Sequence, residues 1–461
     1  MRLPAPLLGG GPRLSSLSLS AAATDDTAAT NSVLSTALPM LGACIAEPTL
    51  SWIDSICVAR FAASPSVGLA ALSVDSAIFN MLACCTSFLC TATTNIVGSQ
   101  ADDDEHVGRA LFDGVMISLL VGGLAAAAMT FGRRVLVGGF LGAGAESGIF
   151  APACAYLRIR ALAAPAATAT LVGAGVCFGL GDQITPVRAI AAAAAVNVVG
   201  DLLLIGPCGL GLSGAAAATA LANYAAAAMV VGPLWRRYRP RWRRPRYADL
   251  RRFAAVSGAL LAGTSFASLT YAATPRVVSG DVTRAAAHQI ALSLWWLISF
   301  VSVPLSLAGQ SLLPRRLSAD PALARRTALA IARLGAYCAA LCAGFNALIP
   351  TVWAGAFSKS PEVLAALGSV TATAAAAQAA LSFATALDGV FLGCGWRGHY
   401  VRTVALSTCA AGAVFVAASR CGGSLVGVWL GLFLFGAVRA ACHAAALPLL
   451  LRKLAGDAKV E

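Results

Sequence analysis

Apolar stretches of at least about 18 residues follow one another from residue 33 to residue 451, each long enough to cross roughly 30 Å of hydrocarbon as a helix. Only 11% of the 461 residues are charged and 58% are hydrophobic, whereas a soluble domain carries roughly a quarter charged residues. Such a chain cannot solvate its own surface in water, so the bilayer is its solvent. The net charge of +13 does not point to nucleic acid, because the basic residues sit in short loops between apolar segments rather than on one soluble face. The 14 cysteines are scattered singly, apart from adjacent Cys84 and Cys85, with no C-x-x-C pair to suggest zinc or redox work; they read as small packing residues.

The stretches predict twelve helices over 33–61, 67–99, 107–131, 148–178, 185–207, 210–235, 249–275, 283–313, 322–352, 361–392, 400–418 and 424–451. The loop Trp235-Arg-Arg-Tyr-Arg-Pro-Arg-Trp-Arg-Arg-Pro-Arg-Tyr247 divides them six and six. With this loop on the cytosolic or stromal side, the loops after helices 2, 4, 8 and 10 and the carboxyl tail share its face. Together they hold roughly twenty Lys and Arg against about seven on the other side, the positive-inside bias. Val176-Cys-Phe-Gly-Leu-Gly181 ends helix 4 and Val390-Phe-Leu-Gly-Cys-Gly395 ends helix 10; Ala70-Ala71 and Ala286-Ala287 recur at nearly the same offset. An even number of helices per half makes such repeats parallel, about an axis along the membrane normal. The expected fold is therefore an all-α polytopic membrane protein: an amino-terminal lobe over 33–235, a basic inter-lobe loop over 236–248, a carboxyl-terminal lobe over 249–452 and a tail over 453–461. Residues 1–32 carry Arg2, Arg13 and a serine cluster with no acid before Asp25, the pattern of either an organelle transit peptide or a disordered tail.

Ionisable groups at membrane depth are costly and mark function by default. The sequence offers Glu47 and Asp54 on helix 1, Asp75 on helix 2, Asp201 on helix 5 and Asp388 on helix 10. Asn197 and Asp201, four apart, share one face of helix 5. At about 1.5 Å per residue from the outer end, Asp201 lies on the order of 9 Å deep, Asp54 about 10 Å and Thr219 of helix 6 about 15 Å, so all three fit one outward-half pocket. Two carboxylates in a low-dielectric site cannot both ionise cheaply, so one holds a proton or the pair holds a cation. Oxygen ligands without His or Cys suit H⁺ or Na⁺ rather than a transition metal, and no cofactor is implied beyond that coupling ion. The competing role for Asn197 and Asp201 is interhelical hydrogen bonding alone. Asp388 reads either as a second titrating group or as a helix-end group pairing with Arg397 or Arg402. His288 and Gln289 either line a substrate path or serve packing. Pro48 should bend helix 1 just below Asp54.

No Walker A sequence, dinucleotide fingerprint, G-x-S-x-G or H-E-x-x-H is present, so ATP-driven transport and the common hydrolases find no support. A membrane-embedded enzyme would need a paired nucleophile and base or a metal cluster, and neither is present. A cation-coupled secondary transporter is the reading that remains, with an ion gradient as its energy source and a non-transporting receptor or scaffold as the alternative from another class.

Glu47-Pro-Thr-Leu-Ser-Trp-Ile-Asp54, Tyr156-Leu-Arg-Ile-Arg-Ala-Leu-Ala-Ala-Pro165, Asn197-x-x-x-Asp201 and Ala287-His-Gln-Ile-Ala291 resemble the multidrug and toxic compound extrusion (MATE) family, in its DinF-like branch of plants, algae and bacteria. The resemblance extends over about residues 33 to 452. It implies two six-helix lobes around a central cavity, efflux of drugs or organic anions driven by H⁺ or Na⁺, and a cation site falling on Asp54, Asn197, Asp201 and Thr219. It implies a small organic substrate, a bilayer setting and a monomer without nucleic-acid partners, in the plastid envelope or else the plasma or vacuolar membrane. Two departures stand out. The loop after helix 4, Gly179-Leu-Gly-Asp-Gln-Ile-Thr-Pro186, lacks the family's arginine, which puts its gating role in doubt, and Asp75 replaces a neutral polar residue. A lipid-linked precursor flippase of the same superfamily would want a cationic cavity, for which Arg158, Arg160, Arg333 and Arg439 are the candidates.

Overall fold

The computed structural model describes residues 25–42, 44, 53–54, 57–58, 65–141, 148–240, 247–278, 281–352 and 360–456, and among these every regular element is a helix. In chain order they are α1 (25–42), α2 (Pro65–Thr86), α3 (Phe88–Gly98), α4 (Asp104–Phe131), α5 (Arg133–Leu141), α6 (Phe150–Ala161), α7 (Ala164–Leu180), α8 (Ile184–Leu204), α9 (Gly211–Tyr238), α10 (Tyr247–Val278), α11 (Val282–Ser299), α12 (Val303–Ala319), α13 (Pro321–Val352), α14 (Pro361–Gly393), α15 (Arg397–Arg420) and α16 (Leu425–Leu454). Among the described residues nine helices are long and apolar enough to span a bilayer, and the bent pair α6 and α7 gives a tenth. Twelve spans would require α1 and α10 as well.

Helix starts follow from local chemistry. The Asp103 carboxylate accepts from the backbone N–H groups of Glu105 and His106 at 2.9 and 3.0 Å, and Asp320 does the same for Ala322 and Leu323 at 2.9 and 3.1 Å. Each satisfies orphan donors of the first turn, at matching places in the two halves. For Asp103, an exposed loop residue, these donated bonds hold the carboxyl below its usual range. The repeated Gly motifs are matching helix ends. Asp182 N–H bonds Cys177 C=O at 2.8 Å and Trp396 N–H bonds Phe391 C=O at 2.8 Å. Gly181 and Gly395 take φ of 81° and 78°, the left-handed geometry that closes a Schellman turn and favours glycine.

Three expected helices are each two. The fourth breaks by 46° between α6 and α7 ahead of Pro165, and the eighth breaks over residues 300–302 ahead of Pro304, since proline starts a helix readily but cannot donate within one. The second is interrupted at Ser87 alone, whose N–H still reaches Ala83 C=O at 2.9 Å. The nine-residue α5 is too short to register as an apolar stretch. At the amino terminus, α1 begins at residue 25, inside the segment read as a tail.

Helices α2 to α9 pack mainly on one another, as do α10 to α16. The backbones of α12 and α14 touch at Gly309 and Gly389, where any Cβ would enter the facing main chain; small residues permit that approach in lipid. The described residues before α2 divide between the two bundles. Val33 and Ala37 pack with Leu305, Ala308 and Ala328 of the second bundle, and Asp25 and Asp26 pair with Arg326 and Arg333 of α13. Cys57 and Val58 instead pack with Leu72, Tyr156 and Ala215 of the first.

On the face that carries the ends of α3, α7 and α12 the bundles are tied together. Ser311 Oγ donates to Phe178 C=O at 2.5 Å, Arg315 Nη1 to Leu180 C=O at 3.0 Å, and Gly98 lies against Pro314. The loop after the fourth segment, which lacks its own arginine, is thus met by one from the opposite bundle.

Candidate functional site

The polar pair of α8 faces α9 because the helices are in backbone-close contact: a Cβ on Gly200 would stand 2.7 Å from that of Ala218. The next residues in each helix are Asp201 and Thr219. Asn197 Nδ2 donates to Asp201 Oδ2 at 3.3 Å, as the four-residue spacing predicts. Asp54 interacts with both Asp201 and Asn197. Asp54, Asn197, Asp201 and Thr219 are all buried. Thr219 Oγ1 donates to its own helix at Ala215 C=O, 2.9 Å away, leaving its lone pairs available as acceptors.

Oδ1 of Asp54, Oδ1 of Asp201 and both carboxylate oxygens of Asp75 are buried without a hydrogen-bond partner among the described residues. Arg160 of α6 is the cationic neighbour of all three acids. Its guanidinium is set by a 3.0 Å bond from Nη1 to the Tyr156 hydroxyl and lies 4.3 Å from the centre of the Phe79 ring. Among the described residues one guanidinium stands against three buried carboxylates, so in their ionised form these groups carry a net negative charge in a low-dielectric setting. Orphaned oxygens with excess charge are what a proton or small hard cation satisfies.

The other expected residues lie elsewhere. His288 is buried in the second bundle, its Nε2 2.9 Å from Thr274 Oγ1 and its ring 5.9 Å from that of Trp429, an aromatic and hydrogen-bonded packing position. The side chain of Gln289, and Glu47 and Pro48 altogether, lie outside the described residues. Asp388 does not pair with Arg397 or Arg402. Its carboxylate takes Arg439 through both guanidinium nitrogens Nε and Nη2, with Nε at 3.2 Å, and His443 Nε2 at 2.8 Å. The partners come from α16, one helix beyond the neighbours in sequence.

Sequence reasoning named Arg160 and Arg439 only as candidates for a cationic cavity and missed their place beside buried acids. It passed over Asp113, buried in α4, and His443. Arg439 and His443 are four apart on one helix face, a signal available from spacing alone. An apolar groove of about 550 Å³ between α4, α7 and α9, lined by Leu119, Pro165, Tyr224 and Trp235, holds none of these groups.

Comparison with known proteins bears on this geometry. The MatE family model matches residues 39–203, a span that includes Asp54, Asp75, Arg160, Asn197 and Asp201. Protein DETOXIFICATION 44, chloroplastic, of Arabidopsis thaliana is 28% identical over 422 residues, 88% of this chain and 80% of that one. DNA damage-inducible protein F of Escherichia coli (strain K12) is 27% identical over 191 residues, 41% of this chain and 40% of its own. The bent form of the Vibrio cholerae MATE transporter VcmN matches with a TM-score of 0.81 at 18% identity, covering 94% of this chain and 99% of that one, a likeness of fold.

Proposed function

We propose that the chain is an integral multi-pass membrane transporter of the MATE family in its DinF-like branch, exporting organic anions or xenobiotics in exchange for H⁺ or Na⁺ bound at Asp54, Asn197, Asp201 and Thr219. The observation that carries this reading is the charge imbalance around Arg160 among the described residues, three buried acids to one guanidinium, with four carboxylate oxygens left without partners there. A structural hydrogen-bond cluster would leave no such surplus, because each orphaned buried oxygen costs about 1–3 kcal/mol.

Coupling requires the cation to bind two conformations differently. Val33 and Ala37 pack in the second bundle, whereas Cys57 and Val58, close after Asp54, pack in the first, to which Asn197 and Asp201 belong. Cation capture between Asp54 and Asp201 favours the state that releases substrate away from the basic-loop face. The contacts of Ser311 and Arg315 with the end of α7 hold that face closed. The flippase reading finds less support here: Arg158 is exposed, Arg160 stands among acids, Arg333 pairs with Asp26 and Arg439 with Asp388. The chloroplastic relative and the Ser- and Arg-bearing residues 1–32 support a plastid envelope location; a diffuse signal from those residues fused to a fluorescent protein would remove it.

The test is efflux from proteoliposomes under an imposed pH gradient and, separately, a Na⁺ gradient, using a panel of organic anions and cations. The expected result is gradient-dependent efflux in the wild type and its loss in Asp201→Asn. Efflux that survives unchanged in the variant would remove the coupling assignment.

A further inference from the structure

His399 and His443 carry no role in the export cycle drawn above, yet their geometry is specific. Asp388 Oδ1, His443 Nε2, His443 Nδ1 and His399 Nε2 form an unbroken chain with hydrogen-bond separations of 2.8 and 3.0 Å. An ionised Asp388 can only accept, so His443 donates to it from Nε2; neutral His443 then accepts at Nδ1, and His399 donates from Nε2. The donor order is fixed from the carboxylate outward. His443 is fully buried, whereas His399 is partly exposed in the first turn of α15. That turn follows the end of α14, which packs on α12 at Gly309 and Gly393, on the same face as the tied ends of α7 and α12. Phe391 stacks on His443 at 4.8 Å and lies 4.5 Å from His399, so one apolar ring flanks both imidazoles.

We propose that His399 and His443 form a proton relay from the basic-loop face to Asp388, giving the second bundle a proton site reached from that face. A proton adds to Nδ1 of His399, its Nε2 proton passes to Nδ1 of His443, and the Nε2 proton of His443 passes to Oδ1 of Asp388. Both imidazoles end neutral in the other tautomer, and one proton has moved. The charged groups that face the relay are Arg402 on α15, Arg439 on α16 and Asp388 on α14, and Tyr400 on α15 and Tyr271 on α10 face Arg439. After the transfer the added proton rests on the carboxylate. Neutral Asp388 no longer balances Arg439, which changes the tie between α14 and α16. Use of this step in export rests on the transport reading; the relay itself does not.

The chain has four histidines, so ¹⁵N-histidine labelling of the full-length protein in lipid nanodiscs allows each side chain to be assigned by single substitution. Over roughly pH 5 to 9, His399 and His443 are expected to change tautomer together. Asp388→Asn should remove the linked change, and His399→Gln, which removes the relay's outer imidazole, should leave His443 in one tautomer across the range. His399 is partly exposed, so that variant keeps the buried packing intact. If His443 holds one tautomer across the range while His399 titrates alone, the chain is a static hydrogen-bonded packing and the relay is wrong. Because the measurement needs no transported substrate, its failure is separable from failure of the export reading.

Discussion

The two bundles bury acids in opposite ways. Among the described residues the first gathers Asp54, Asp75 and Asp201 around a single guanidinium and leaves four oxygens without partners. The second buries Asp388 and gives it Arg439 on one side and His443 on the other, a neutral pair with its main bonds made. Matching caps at Asp103 and Asp320, and matching Schellman turns at Gly181 and Gly395, show that the halves share one scaffold. Buried charge is thus a property of a few side chains placed on that scaffold, and the surplus in one bundle marks where an external cation is wanted.

The largest effect should come from removing the surplus. Asp201→Asn keeps the bond to Asn197 available but takes one negative charge away, and gradient-driven efflux should fall roughly 100-fold, near the upper end of site-to-site coupling. Initial rates in proteoliposomes check this, and the thermal midpoint should stay close to wild type. In the second bundle the order reverses. Asp388→Asn leaves Arg439 buried without its counter-charge, which should cost about 3–5 kcal/mol and show as a lowered thermal midpoint, whereas Asp388→Leu with Arg439→Met should recover most of it. Equal stability loss in the single and double variants would dissolve the contrast between the bundles. Arg160→Gln sharpens it from the other side. The site becomes more negative, so the apparent affinity for the coupling cation should rise about tenfold while turnover slows, since loss of an opposite charge is worth 1 to 3 pKa-unit equivalents. Cation titration of efflux rates separates the two effects.

How far the sequence reached follows the same division. Features internal to one helix were legible. The apolar stretches located α4, α8, α9 and α13 to within a few residues, and the spacing of Asn197 and Asp201 foretold their bond. Features that depend on which helices touch were not. Nothing local tells that Arg160 stands among acids from three other segments, or that Asp388 passes over nearby Arg397 and Arg402 for Arg439. Depth arguments did bring Asp54 to Asp201, because a shared membrane level is a constraint between helices that a sequence does carry. Breaks before Pro165 and Pro304 were missed since apolarity continues across them while backbone donors do not.

The smallest predicted effect concerns the contact between the bundles rather than the difference between them. Arg315 donates to Leu180 C=O at 3.0 Å, and Ser311 to Phe178 C=O, from α12 to the last turn of α7. Gly181 permits it: a Cβ there would run into the Arg315 guanidinium. Arg315→Ala removes one such bond, worth about 0.5–1.5 kcal/mol, from whichever state closes this face. If closure here is one end of an alternating cycle, the loss should shift the balance toward the state open on the basic-loop face by up to roughly tenfold, readable as faster labelling of a cysteine placed at Ser311 with a membrane-impermeant thiol reagent. The melting temperature should barely move, because the bond exists in only one of the two states. A drop in stability without a change in labelling would instead make the contact a permanent strut, and the two bundles would then have to move about some other point.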